Sequence, residues 1–160
     1  MPTHRVSASA LERLRAEHLD LTTRGRIEVA KRIGRAREMG DLRENGDYHA
    51  AKDEQGHLEA RIRQIEAILE NHEIVETAHD GKVAIGCTVT ILYDGDPPDQ
   101  TERYLIGHQE EKPADPSVQV MSPTSPLGSA LLGAAAGTKV KYQAPNGILA
   151  VKVVKIEACN

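Results

Sequence analysis

Phenylalanine and tryptophan are absent from this 160-residue chain, and tyrosine occurs only four times, as Tyr48, Tyr93, Tyr104 and Tyr142. Any core must therefore be aliphatic. Stacking platforms for single-stranded nucleic acid, which need several aromatic faces, are nearly ruled out. Cysteine is scarce as well: Cys87 and Cys159 lie far apart and in no CxxC spacing. That argues against zinc or a disulfide framework and fits a reducing, cytoplasmic setting. No apolar run approaches the roughly 20 residues of a membrane span, and no signal-peptide pattern is visible. A large excess of one charge is also missing. The net charge is −4, so bulk charge calls for neither nucleic acid nor membrane as a partner.

Proline is missing from most of the first half. Seven of the eight prolines lie beyond Thr77, whereas residues 1–76 hold 13 of the 20 Lys and Arg. A charged, proline-poor half followed by a Pro/Gly-punctuated half reads as a helical arm joined to a β-rich domain. The expected division is 1–76 and 82–160, with a short polar junction near Thr77 to Gly81.

The second helical segment has the clearer pattern. Tyr48, Ala51, Gln55, Leu58, Ile62, Ile65 and Leu69 alternate in spacings of three and four, the seam of a coiled coil. About 23 residues of helix would span ~35 Å. The first segment starts near Ser7 or Ser9, either a suitable N-cap. Leu11, Leu14 and Leu21 keep seam spacing with His18 between them. The register slips through Thr22 to Arg26 and resumes with Ile27, Ala30 and Ile33 or Gly34, so a local irregularity is expected there. Gly40 ends this helix and Asn45-Gly46 closes the turn. The two helices form an antiparallel hairpin that buries its own seam, which favours a monomer.

Strand-like alternation occupies 87–93, 103–108, 118–121, 139–143 and 148–156. A short helix fits between strands, with Ser125 as N-cap, Pro126 at its first position and Gly133 near its end. Leu127, Leu131 and Leu132 read as helix core, and Cys87 as strand core. The expected fold is α+β: a helical hairpin plus an antiparallel sheet of about five strands carrying one helix.

The turn between the helices, at 40–47, is where chemistry is concentrated. Asp41 and Glu44 are three apart, so both side chains can point off the end of the hairpin. Carboxylates are hard oxygen ligands suited to Mg²⁺, which is commonly held by one or two of them. Two exposed acids bind it weakly alone. Against another protein's acidic site they could complete a second metal that activates water for attack on a phosphodiester. The plain alternative is a solvated turn with capping duty. Lys31, Arg32, Arg35 and Arg37 lie in the last turns before the tip, a basic face suited to phosphate contact or to simple solvation. His49 beside the tip reads as a packing or surface histidine.

The run GDLRENGDYHAAKDEQ, Gly40 to Gln55, resembles the tip motif of the Gre transcript cleavage factors of bacteria, GreA and GreB. Ser122-Pro123-Thr124-Ser125-Pro126-Leu127-Gly128 and the turn Pro145 to Gly147 resemble that family's C-terminal signature. The likeness covers essentially the whole chain. It implies an FKBP-like C-terminal domain that docks on the rim of the RNA polymerase secondary channel through Ser122, Pro123, Ser125 and Pro126. The hairpin then threads the channel. On the same likeness Asp41 and Glu44 would stabilise a second Mg²⁺ held jointly with the polymerase, which cleaves the extruded 3′ end of a backtracked nascent RNA. Gly40, Leu42, Asn45 and Tyr48 shape the tip, and Lys31, Arg32, Arg35 and Arg37 face the RNA. On this likeness the factor is not an enzyme on its own. Gly46 and Asp47 depart from the family's usual Ala or Ser followed by Glu, and Gly46 could loosen the turn by favouring positive φ. Two other functions stay open: a Gre paralogue that occupies the channel and inhibits without cleavage, and a peptidyl-prolyl isomerase, which the missing aromatic walls disfavour.

Overall fold

The computed structural model describes residues 3–40, 45–75 and 81–158. They fall into two compact units, one built on Leu11–His72 and the other on His4–Ala10 with the chain from Glu73 onward.

The helical unit begins with α1, Ala8–Asp20, runs through a π-helical turn at Leu21–Gly25 and continues as α2, Arg26–Glu38. Asp20, Gly25 and Arg26 all keep right-handed helical φ and ψ, so the helix is continuous. The π turn sits where the seam slips, and it fits an extra residue into the helix without breaking it. Thr22 and Thr23 donate their hydroxyls to the His18 and Leu19 carbonyls at 2.7 and 2.6 Å, occupying acceptors within this widened turn. The extra residue also rotates the face that α2 turns towards its partner. Ile27, Ala30 and Gly34, expected on the seam, are exposed, whereas Val29, Ile33 and Ala36 are buried. At Gly25 an added Cβ would lie 3.3 Å from Leu58 Cδ1, so glycine leaves room for the opposite helix.

The opposite helix is α3, Gly46–Glu70. Ala51, Ile62 and Ile65 are buried as the heptad requires, with Tyr48, Gln55, Leu58 and Leu69 partly buried. Ile68, rather than Leu69, is the fully covered residue at the proximal end. Arg26 grips Glu59 with two bonds of 2.9 and 3.0 Å, and Arg32 pairs with Glu54. Numbers rise along one helix as they fall along the other, so the pair is antiparallel.

The second unit carries two sheets. The smaller pairs β1, His4–Val6, with β2, His72–Ile74, and was not foreseeable from three-residue strands. The larger has five strands: β3, Cys87–Tyr93; β4, Glu102–Ile106; β5, Gln119–Met121; β6, Lys139–Ala144; and β7, Gly147–Ala158. Their spatial order is β5-β4-β3-β7-β6. All neighbours are antiparallel except β4 and β5, which run parallel. The sheet is therefore mixed, not antiparallel throughout. Period-two alternation gives strands but not their direction, and the connection from β4 to β5 is long enough for the crossover a parallel pair needs.

Helix α4, Pro126–Leu131, packs Leu127 and Leu131 onto one sheet face with Val83, Val89, Ile91, Ile106, Val151 and Val153. The core is aliphatic as the composition demands, and Cys87 is fully buried. Three tyrosines line its margin, and the Tyr93 and Tyr142 hydroxyls meet at 3.0 Å. Burial, then the Tyr142 hydroxyl, pushes the Tyr93 phenol upward. Ser7 is the N-cap of α1: its Oγ accepts from Ala10 N at 3.1 Å, and its own N–H and O–H both donate to Glu111.

Candidate functional site at the hairpin end

Asp41, Leu42, Arg43 and Glu44 lie outside the described residues. Their two neighbours in the chain are described, and both have defined roles. Helix α2 stops at Met39, whose N–H still reaches the Ala36 carbonyl at 3.1 Å. Gly40 comes next with φ of +135°, a conformation L side chains rarely adopt, which is why the helix ends on glycine.

Asn45 begins the return. Its backbone is extended, with φ −83° and ψ 99°, and its Oδ1 accepts from Tyr48 N at 3.1 Å, an N-cap bond to α3. Its Nδ2 donates to the Ala36 carbonyl at 2.5 Å. One amide thus satisfies an orphan donor at the start of α3 and gives a second donor to a carbonyl in the last turn of α2. The Arg37 guanidinium sits 5.8 Å from the centre of the Tyr48 ring, a second bridge between the same helix ends. Gly46 is the first residue of α3 and is not among the glycines with positive φ. Gly46 therefore does not use the positive φ open to glycine. Asn45, not Gly46, governs this corner.

The charges follow the helix dipoles. Asp47 lies in the first turn of α3, while Arg35 and Arg37 lie in the last turn of α2. Of the basic residues before the tip, Arg32 is engaged with Glu54 and Arg37 with Tyr48. Lys31 and Arg35 are exposed and have no acidic partner among the described residues. A shallow groove of about 290 Å³ runs between the helices, lined by Arg32, Arg35, Ala36, Met39, Asp47 and Ala50 among others. Met39 is 70 % exposed beside it. His49 stacks edge-on against Tyr48. Among the described residues no three His, Cys, Asp or Glu gather as a metal site.

The loop 122–126 is fully described. Ser125 caps α4 by accepting from Gly128 N at 3.1 Å, and its hydroxyl donates back to the Ser122 carbonyl at 2.7 Å. Ser122 Oγ meets Thr124 Oγ1 at 2.8 Å and accepts from Thr124 N at 3.2 Å. Pro123 and Ser125 are partly buried in this turn, with the exposed Pro126 opening the helix beside them. Gly128 is a requirement that composition and periodicity do not reveal. A Cβ there would lie 2.1 Å from the Ser122 carbonyl oxygen.

A helical arm with a capped turn, and a separate sheet unit presenting a serine-proline loop, define a two-part factor. Residues 4–74 match the family model for the transcription elongation factor N-terminal domain, and residues 78–158 match that for the GreA/GreB C-terminal domain. The transcription elongation factor GreA of Streptomyces avermitilis is 47 % identical over 154 residues, covering 95 % of this chain and 92 % of that protein. GreA of Roseiflexus sp. is 41 % identical over 147 residues, 91 % of each. Among solved structures, the transcription factor Gfh1 covers 97 % of both chains at 26 % identity with a TM-score of 0.46. This chain belongs to the GreA/GreB family of transcription elongation factors.

Proposed function

We propose that this protein is an accessory factor of RNA polymerase that stimulates cleavage of backtracked RNA by carrying Asp41 and Glu44 into the polymerase's secondary channel. The observation that carries this reading is the closure of the hairpin end by Gly40 and Asn45. Asp41 directly follows the first and Glu44 directly precedes the second. The acids are thus tethered at both ends to a stiff two-helix arm, and α3 alone, at 25 residues, spans about 38 Å.

The donor set fits magnesium. Asp41 and Glu44 offer hard carboxylate oxygens, as Mg²⁺ prefers, and the metal would be completed by ligands of the polymerase. When bound, it supplies charge stabilisation and an activated water at the phosphodiester. The chain's own residues orient and deliver: Asn45 and Gly40 set the turn, Leu42 and Tyr48 seat it, and Lys31 and Arg35 are available to the RNA backbone, with Arg32 and Arg37 beside them. The C-terminal half, 82–160, is read as an FKBP-like docking domain and 1–76 as the arm. The mixed five-stranded sheet with one packed helix supports that reading. Ser122, Pro123, Ser125 and Pro126 would meet the channel rim. No helix among the described residues is long and apolar enough to cross a membrane.

The test is RNA cleavage in an arrested elongation complex. Asp41→Ala with Glu44→Ala should reduce stimulated cleavage by at least about 100-fold, the scale of losing a positioned catalytic group, while competition for the channel persists. Normal cleavage by the double variant would refute metal delivery. Competition without cleavage by the unmodified protein at every Mg²⁺ concentration would make it an inhibitory paralogue instead.

A further inference from the structure

The amide that closes the hairpin end stands in a chemically unstable dipeptide. Asn45-Gly46 is one of two Asn-Gly pairs in the chain; the other is Asn146-Gly147. In such a pair the glycine nitrogen is not shielded by a side chain, so it can reach the asparagine carboxamide. We propose that Asn45 is a site of spontaneous deamidation, that the Ala36–Asn45–Tyr48 clamp holds the reaction off in the folded hairpin, and that conversion alters the tip.

The step is balanced without any added reagent but water. The Gly46 nitrogen, losing its proton, attacks Asn45 Cγ; the N–Cγ bond forms, the Cγ–Nδ2 bond breaks, and ammonia leaves. Water then opens the ring at either carbonyl, giving aspartate or isoaspartate at position 45. Two features make Gly46 competent. As the first residue of α3 its N–H has no intrahelical acceptor, and among the described residues nothing beyond its chain neighbours lies within 4 Å of the place where its Cβ would be. What opposes the reaction is the carboxamide's position. Oδ1 is held by Tyr48 N and Nδ2 by the Ala36 carbonyl, so Cγ must leave both partners to meet Gly46 N. Two ordinary hydrogen bonds that must open together slow the step by roughly tenfold or more.

Asn146 is an internal reference. It is exposed in the β6–β7 turn, and its side chain has no hydrogen-bond partner among the described residues. Conversion there touches neither candidate loop. Conversion at Asn45 keeps an acceptor for Tyr48 N but removes the donor to Ala36, and adds a negative charge beside Glu44. Isoaspartate further lengthens the main chain at the corner. That this changes metal handling rests on the function proposed above; the chemistry and its protection do not.

The experiment incubates the full-length protein at mildly alkaline pH, folded and in urea. Conversion is followed by mass spectrometry of the tryptic peptides 44–52 and 142–152, which separate the two sites. Asn45 should convert roughly tenfold or more slowly in the folded protein than in urea, a larger ratio than Asn146 shows. Gly46→Ala should suppress conversion at Asn45 in urea and leave Asn146 unchanged. Equal rates for Asn45 folded and unfolded overturn the protection, and no conversion in urea overturns the site. For the consequence, Asn45→Asp should melt lower than the unmodified protein and require a different Mg²⁺ concentration for half-maximal cleavage. Identical melting and identical Mg²⁺ dependence overturn it. If Asp41→Ala with Glu44→Ala leaves cleavage normal, the functional reading falls while the deamidation result stands.

Discussion

The hairpin end and the 122–126 loop are closed by the same device at different range. At the hairpin end, Asn45 caps α3 through Tyr48 N and reaches nine residues back to the Ala36 carbonyl. In the sheet unit, Ser125 caps α4 through Gly128 N and reaches three residues back to the Ser122 carbonyl. Each N-cap side chain both accepts forward and donates backward. Asn45 thereby joins two separate helices, whereas Ser125 tightens one local turn. The long-range closure depends on a side chain. The local closure depends on backbone fit, because Gly128 leaves no space for a Cβ.

That contrast predicts where each loop breaks. The largest effect should come from adding a single methyl group at Gly128. Its Cβ would lie 2.1 Å from one backbone oxygen, and backbone cannot swing aside as a flexible side chain does. Gly128→Ala should cost about 3 kcal/mol, at the upper end for overpacking, and displace Ser122 to Ser125. A chemical denaturation curve reads the first, and amide shifts of 122–129 read the second. An unchanged midpoint would mean that the loop yields freely and that the sheet unit imposes no shape on it.

Removing the two caps should rank the two loops the other way from adding volume. Asn45→Ala loses an N-cap and the bond to α2 together, about 2 kcal/mol. Ser125→Ala loses its cap and a bond to the Ser122 carbonyl that is exposed to water, about 1 kcal/mol. Thermal melts of both variants check the order. If Ser125→Ala proves the more damaging, the range of the closure is not what matters. Cleavage should separate them further: the Asn45 variant should lose activity at saturating factor concentration, and the Ser125 variant should need more factor to reach the same rate.

The sequence conveyed helices, strands and caps through local chemistry. The heptad from Tyr48 to Ile65, the cap at Ser125 and the stop at Gly40 are all local signals, and the structure has each of them. What escaped is non-local. The slip at Thr22 to Arg26 was visible, but its outcome, a π turn that buries Val29 in place of Ala30, depends on packing against α3. The parallel pairing of β5 depends on the path of a connection, not on alternation. The bond from Asn45 to Ala36 spans two helices and leaves no trace in spacing. The 2.1 Å approach at Gly128 likewise appears only when the loop is folded.

A third closure differs in kind and gives the smallest effect. Between β4 and β5, Asp115 accepts from Ser117 Oγ and N at 2.7 and 2.9 Å and from Arg103 at 2.6 Å. Unlike Asn45 and Ser125 it only accepts, so its closure needs the charged carboxylate. The Ser117 hydroxyl and N–H, then the Arg103 guanidinium, hold its pKa down from 3.8 to about 2. A depressed carboxylate binds fewer protons folded than unfolded between those values. Its contribution is therefore complete above the ordinary pKa and disappears as pH falls from about 4 through about 2. The group is solvent-exposed, so the effect on stability is modest. The Asp115 carboxyl shift should titrate near 2, and Asp115→Asn should flatten the stability profile only in that acid window. A midpoint near 3.8 would mean that the loop accepts no more from its donors than water offers, and that closure by a side chain matters only where, as at Asn45, one group ties two elements together.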